Sequence, residues 1–208
     1  METKINIDKN LISELVCTRI CHDVIGSAGA VANAVEIFEE GDLDDLEDIK
    51  SILRAGSFAL SARLKFFRMA FGMGNVAPDL AQIETTAKDY LKSVNTAVNL
   101  DFSLKNPKLG RLAMLSIMIA NDGLVRGGNI KLKENSGHLE ITCGENDGLS
   151  AERITLVKAI ADGKNETISA EQAPVCCLLG LLSNLKYNLT IIEKPFGLVM
   201  SPKSPESV

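Results

Sequence analysis

Cys17-Thr18-Arg19-Ile20-Cys21-His22-Asp23-Val24-Ile25-Gly26-Ser27-Ala28-Gly29-Ala30 is helical in pattern and holds one of only two histidines in a chain of 208 residues. Around it Cys17, Ile20, Val24, Ala28, Val31, Val35 and Phe38 recur at steps of three and four, which predicts one long helix over about residues 7–39. Gly41-Asp42 closes that helix, and Asp42 or Asp44 is placed to cap a second one whose first turn is acidic. The second helix runs to about residue 71, with Leu46, Ile49, Leu53, Gly56, Leu60, Leu64, Phe67 and Phe71 as its apolar stripe. Two long helices joined by about four residues make an antiparallel hairpin. A hairpin alone encloses too little interior to be stable, so a second copy of the chain is expected to complete a four-helix bundle.

Gly72-Met73-Gly74-Asn75-Val76-Ala77-Pro78 breaks the helical pattern and divides a helical hairpin, residues 1–74, from a second domain, residues 75–208. Beyond the break the pattern predicts a helix near 79–92, a strand at 97–102 and a helix near 108–122. Two strands follow, 129–134 and 137–143, joined by the turn Asn135-Ser136-Gly137. Helices near 149–162 and 170–187 precede a last hairpin, 189–193 and 196–200, turned by Lys194-Pro195. This order predicts an α+β sandwich with helices on one face of a mostly antiparallel sheet.

The net charge of −5 argues against nucleic acid or an anionic membrane as the main partner. The first residues lack the apolar run of a signal peptide, and no uninterrupted apolar stretch approaches the length of a membrane span, so a cytoplasmic location is expected. The five cysteines, Cys17, Cys21, Cys143, Cys176 and Cys177, are odd in number and read as reduced core residues. Cys17, Cys21 and His22 on one helix do not complete a tetrahedral set, so no metal site is expected.

With Val24 at the centre of the expected buried stripe, His22 falls roughly 160° away, on the outer face. Gly29 and Asn33 lie within roughly 20° of the histidine, and Thr18, Gly26 and Glu36 within roughly 40°. The imidazole thus stands on a face whose next turns carry little side-chain bulk. Glycine inside a helix costs about 1 kcal/mol relative to alanine, and close approach of another protein's backbone is one way to offset that. Most surface histidines are simply solvated. Here exposure coincides with an adjacent acid, an arginine one turn earlier and a bare surface. Asp23 is suited to orient the imidazole, and its bland alternative is an i,i+4 pair with Arg19 worth tenths of a kcal/mol. Arg19 is a candidate to steer a phosphoryl group, as Arg63 and Arg68 of the second helix are for docking. His138, before a strand, reads as surface structure.

Cys21-His22-Asp23-Val24-Ile25-Gly26-Ser27 resembles the histidine box of histidine-kinase dimerisation domains. Three segments together resemble the ChpT-type histidine phosphotransferases of bacterial phosphorelays: 19–35, the run Ser61-Ala62-Arg63-Leu64-Lys65-Phe66-Phe67-Arg68-Met69-Ala70-Phe71-Gly72, and Gly110-Arg111-Leu112-Ala113-Met114-Leu115 with Arg126-Gly127-Gly128. The resemblance implies that His22 takes a phosphoryl group from the receiver aspartate of a hybrid kinase and passes it to the receiver aspartate of a response regulator. It implies no cofactor of the chain's own, with Mg²⁺ in the partner receiver. Gly26-Ser27 departs from the family, which often has a proline here.

The second domain has the element order of a kinase ATP-binding domain, which needs Asn-x-x-x-Asn for Mg²⁺, Asp-x-Gly-x-Gly for adenine and a glycine-rich lid. Counting back from Gly127-Gly128, the asparagine positions fall on Leu115 and Ile119, which cannot coordinate a cation; a shifted register would offer Asn121-Asp122. Asn146-Asp147-Gly148 lacks the second glycine, and Ser169 to Pro174 has none. A binding platform or brace is expected in place of a nucleotide site. The alternatives are an active kinase, a regulator phosphatase and a non-catalytic docking adaptor. Against the phosphatase, Gly26 stands where such bundles place a water-orienting Thr, Asn or Gln.

Overall fold

The computed structural model describes residues 9–40, 46–72, 78–124, 126–144, 151–164 and 168–203. The expected stop and caps at 41–45, most of the break at 72–78 and the Asn146-Asp147-Gly148 fragment lie outside these residues. Two long helices open the chain, α1 (Lys9–Glu39) and α2 (Leu46–Phe71). They lie so close at Gly56 that a Cβ there would come within 2.7 Å of Val31 Cγ2, which explains the glycine in mid-helix.

The buried line on α1 differs from the expected one. Leu15, Ser27 and Ala34 mark it, the last two rotated by roughly 60–80° from the line through Val24. The heptad-spaced Cys17, Ala28, Val35 and Phe38 are left exposed. The rest of this chain covers the Arg19–Asp23–Ser27 side of α1 most deeply, and Ile12, Ile20 and Val24 are partly buried against the core. On α2 the expected stripe fails at Leu64, which is exposed, because the line turns to Ala62, Phe66 and Ala70 where the helix meets the second half of the molecule. Two of the five cysteines likewise depart from the expected core placement. Cys17 and Cys21 are exposed, whereas Cys143 and Cys176 are buried and all five are free. Burial pushes the Cys176 and Cys177 thiols up to about 11.

The second half begins with α3 (Leu80–Val94), capped by Asp79, whose carboxylate accepts from Gln82 N–H at 2.7 Å. There follow β1 (Val98–Ser103), α4 (Gly110–Gly123), β2 (Gly128–Asn135), β3 (His138–Cys143), α5 (Ala151–Ala161), α6 (Ala173–Leu185), β4 (Tyr187–Glu193) and β5 (Phe196–Pro202). The strands form one sheet of order β1-β2-β3-β5-β4, with β1 and β2 parallel and the other pairs antiparallel. Ile130, Leu132, Leu139 and Ile141 are buried on one face, while Lys131, Lys133 and Glu140 are exposed on the other. The expected α+β class and largely antiparallel sheet are therefore present.

Every residue of α4 from Leu112 to Ala120 is buried. This helix is hydrophobic all round and lies in the interior accordingly. The end of α2 joins the same core: Phe66 stacks on Tyr90 of α3 with ring centroids 3.7 Å apart. At the other end of the sheet, Glu134 accepts backbone N–H groups from Lys105, Asn106 and Gly137 at 2.9–3.0 Å. The Gly137 amide above all, with those of Lys105 and Asn106, holds its carboxyl below the usual glutamate range. The shared core seats the middle of α1 against the second half of the molecule at a defined height, which sets the geometry around His22.

Candidate functional site

His22 projects from α1 with its side chain 84% exposed. Its Nδ1 lies 3.2 Å from Asp23 Oδ1. The Nδ1–H tautomer is the one that makes a hydrogen bond to this carboxylate, and in that tautomer Nε2 is the nitrogen with the free lone pair. Nothing in the described structure restricts approach to that atom from above α1. The ring is thus a nucleophile with one nitrogen held and the other open.

Asp23 is much less exposed than its neighbour. Its second oxygen, Oδ2, accepts from Arg19 Nε at 2.7 Å, which is the i,i+4 pair the sequence suggested. The rest of the Arg19 guanidinium faces α4. Nη2 donates to Asp122 Oδ1 at 2.8 Å and Nη1 to Asp122 Oδ2 at 3.0 Å, a bidentate pair between residues far apart in sequence. Nη1 also approaches the Glu171 carbonyl at 3.4 Å. Arg19 is only 11% exposed, so its guanidinium is committed to internal acceptors and is not available for steering. Burial holds the Asp122 carboxyl above its ordinary range, and the opposing pull of Arg19 does not cancel that. Burial also works against the Arg19 charge, but Asp122 and Asp23 together reverse that and leave its pKa above the ordinary value.

Arg63 is half-buried and turned inward. Nη1 donates to the Asp23 carbonyl and Nη2 to the Ser93 carbonyl, the latter at 2.9 Å, so it ties α1 to α2 and α3; its Nε is buried without a partner. Arg68 is exposed on α2. Thr18, Gly26, Gly29 and Asn33 are all exposed on α1. A Cβ at Gly26 or Gly29 would meet nothing within 4 Å, so packing inside the chain does not require either glycine.

At the expected cation position, Leu115 and Ile119 are buried core residues. Asp122, the alternative in a shifted register, is occupied by Arg19, and Asn121 Oδ1 is buried without a partner. Among the described residues no group of three or more His, Cys, Asp or Glu side chains is arranged to hold a metal. Between α4, α5 and α6 the cavity bounded by Ile119, Asp122, Arg153, Val157 and Glu171 measures about 30 Å³. That is the space of a single water and far below what a nucleotide fills. Of the described helices, α1 is long and apolar enough on length and composition to cross a membrane. It nevertheless carries the Arg19–Asp23 pair at mid-length, tied to α4.

Asp122 is the site residue that sequence reasoning did not assign to the histidine. It entered only as a substitute cation ligand, and no local pattern relates it to Arg19.

No protein-family model matches the chain. It is similar to the protein phosphotransferase ChpT of Brucella abortus (strain 2308), with 30% identity over 128 residues that make up 59% of this chain. The chain spans about 60% of the length of that curated relative. A solved structure described as a bacterial phosphotransferase superimposes with a TM-score of 0.73 and 25% identity, covering 94% of this chain and 97% of that one.

Proposed function

We propose that the chain, which is similar in sequence and fold to a ChpT-type phosphotransferase, is a histidine phosphotransferase in which His22 is the residue that carries the phosphoryl group. One observation carries this reading: an imidazole open to solvent at Nε2 and held at Nδ1 by Asp23. The donor is the phosphorylated receiver aspartate of a hybrid kinase, and the acceptor is the receiver aspartate of a response regulator. The Nε2 lone pair attacks phosphorus in line with the bond to the donor carboxylate. That P–O bond breaks and its electron pair stays on the carboxylate oxygen. Positive charge develops on the ring as Nε2 is phosphorylated, and Asp23 stabilises it through the shared Nδ1 proton. The reverse displacement delivers the group to the acceptor. Positioning and charge neutralisation dominate such a transfer, and Mg²⁺ is expected in the receiver's own acidic pocket.

Gly26, Gly29 and Asn33 form the surface on which a receiver comes to rest, with Thr18 and Arg68 at its margin. The uncovered seam of Val35 and Phe38, with Ile52 and Leu64 on α2, supports a homodimer in which a second hairpin completes a four-helix bundle. In this proposal the phosphate comes from proteins and not from ATP.

The test is direct. Mixing the protein with a receiver domain carrying labelled phosphate is expected to move label onto an acid-labile histidine, and His22→Ala is expected to receive none. A His22→Ala protein that still relays label to a second receiver would end the proposal. Labelled ATP alone is expected to leave the wild-type protein unlabelled.

A further inference from the structure

We infer that Asp122 is a positioning residue for His22, acting through Arg19 and Asp23 to keep one Asp23 oxygen aimed at the imidazole. This rests on the reading of His22 as the phosphoryl carrier. The four residues form one line of contacts from the surface of α1 to the end of α4. His22 Nδ1 meets Asp23 Oδ1 at 3.2 Å, Asp23 Oδ2 meets Arg19 Nε at 2.7 Å, and Arg19 meets both oxygens of Asp122 at 2.8 and 3.0 Å. Exposure falls abruptly along it, from 84% at His22 to 15% at Asp23 and 13% at Asp122.

The stereochemistry of the guanidinium gives Asp122 its role. An arginine facing a single carboxylate prefers to take both oxygens with two parallel N–H groups. If Arg19 did so, both Asp23 oxygens would be drawn towards it and neither would remain aimed at the ring. Asp122 fixes the orientation of the guanidinium by engaging Nη1 and Nη2 together, and in that orientation it is Nε that meets Asp23 Oδ2. One oxygen of Asp23 then stays with His22. Arg63 fixes the other end of the same residue by donating to the Asp23 carbonyl.

Charge leads to the same result. Asp122 makes the group around Arg19 and Asp23 one unit more negative beside a ring that becomes positive during attack. Without Asp122, Arg19 and Asp23 would neutralise each other and offer that charge less. The second half of the molecule therefore contributes to the reactivity of a histidine it does not touch. A purely structural tie between α1 and α4 would hold the helices together but would not choose the proton-bearing nitrogen of His22.

The two roles separate in the full-length protein labelled with ¹⁵N-histidine, where only His22 and His138 contribute ring signals. In the wild type the neutral His22 ring is expected to be mainly the Nδ1–H form. Asp122→Asn is expected to shift it towards the Nε2–H form and to slow phosphorylation by the small donor phosphoramidate by about 10-fold or more. Arg19→Lys, which keeps the charge but loses the fork, is expected to do the same and serves if Asp122→Asn does not fold. A wild-type ring that is mainly Nε2–H would overturn the inference. So would a folded Asp122→Asn protein with an unchanged ring and a rate within about two-fold of wild type, even if it melted earlier. A wild-type protein that took no phosphoryl group at His22 would instead sink the transfer reading, and the ring measurement would still decide the role of Asp122.

Discussion

Helices α1 and α4 are both rich in apolar residues, yet they live in opposite surroundings. From Leu112 to Ala120 every residue of α4 is buried, whereas α1 exposes Ile25 at 71% and Phe38 at 50%. Apolar content alone therefore does not say which helix is interior. In α4 the residues between the apolar ones are also small or apolar, so every direction is compatible with burial. In α1 the apolar residues alternate with His22, Asn33 and Glu36, and part of the apolar surface is left uncovered by this chain. One helix supports the fold and the other presents it.

Matched truncations test that contrast most strongly. Leu115→Ala in α4 is expected to cost about 2–5 kcal/mol in urea unfolding, from lost burial plus the cavity left behind. Ile25→Ala in α1 is expected to stay within about 0.5 kcal/mol. Equal losses would break the distinction. The exposed seam sharpens it next. Glutamate at both Val35 and Phe38 places charge where a second hairpin is proposed to pack, and the dimer dissociation constant is expected to rise at least about 100-fold, or about 2.7 kcal/mol. Sedimentation would read this as a halved molar mass with unchanged secondary structure. A wild-type chain already monomeric at micromolar concentration would remove the dimer.

Much of this architecture is legible in the sequence, because helices and strands announce themselves by period. The strand expected at 97–102 lies at Val98–Ser103, and the helix expected near 108–122 is Gly110–Gly123. The turns at Asn135-Ser136-Gly137 and Lys194-Pro195 sit where glycine and proline place them. The rotation of α1 was not legible, since a heptad of apolar residues looks the same whether it faces its own chain or another. The engagement of Arg19 with Asp122 was not legible either. A bidentate pair across 103 residues leaves no periodic trace, and an arginine four residues before an aspartate satisfies the local i,i+4 pattern without it. The inward turn of Arg63 escaped notice for the same reason: its acceptors are backbone carbonyls, which no residue type marks.

Within the packed half, Glu134 offers a pH-dependent test of intermediate size. Its folded pKa lies below the ordinary glutamate value, so its contribution is present above that value and is lost as pH falls through the lower folded one. Glu134→Gln is expected to lose about 1–2 kcal/mol at neutral pH, because an amide accepts the three backbone N–H groups less well than a carboxylate. It is also expected to flatten the acid limb of the stability profile. A variant with the wild-type acid limb would assign that limb to other carboxylates. Nothing comparable is expected from changes on the exposed face of α1.

The smallest effect is the most discriminating for α1 itself. Gly29 occupies mid-helix with open space around its Cα, so Gly29→Ala is expected to raise stability by about 0.5–1 kcal/mol through helix propensity alone. If a receiver backbone rests on that surface, the same methyl group obstructs it. Transfer from a phosphorylated receiver is then expected to slow, while phosphorylation by phosphoramidate, which needs no docking surface, stays as fast as wild type. A more stable protein that is a poorer partner identifies Gly29 as kept for docking at the expense of the helix. Equal rates with both donors would leave this glycine without a docking role and move the receiver's footprint to another part of α1.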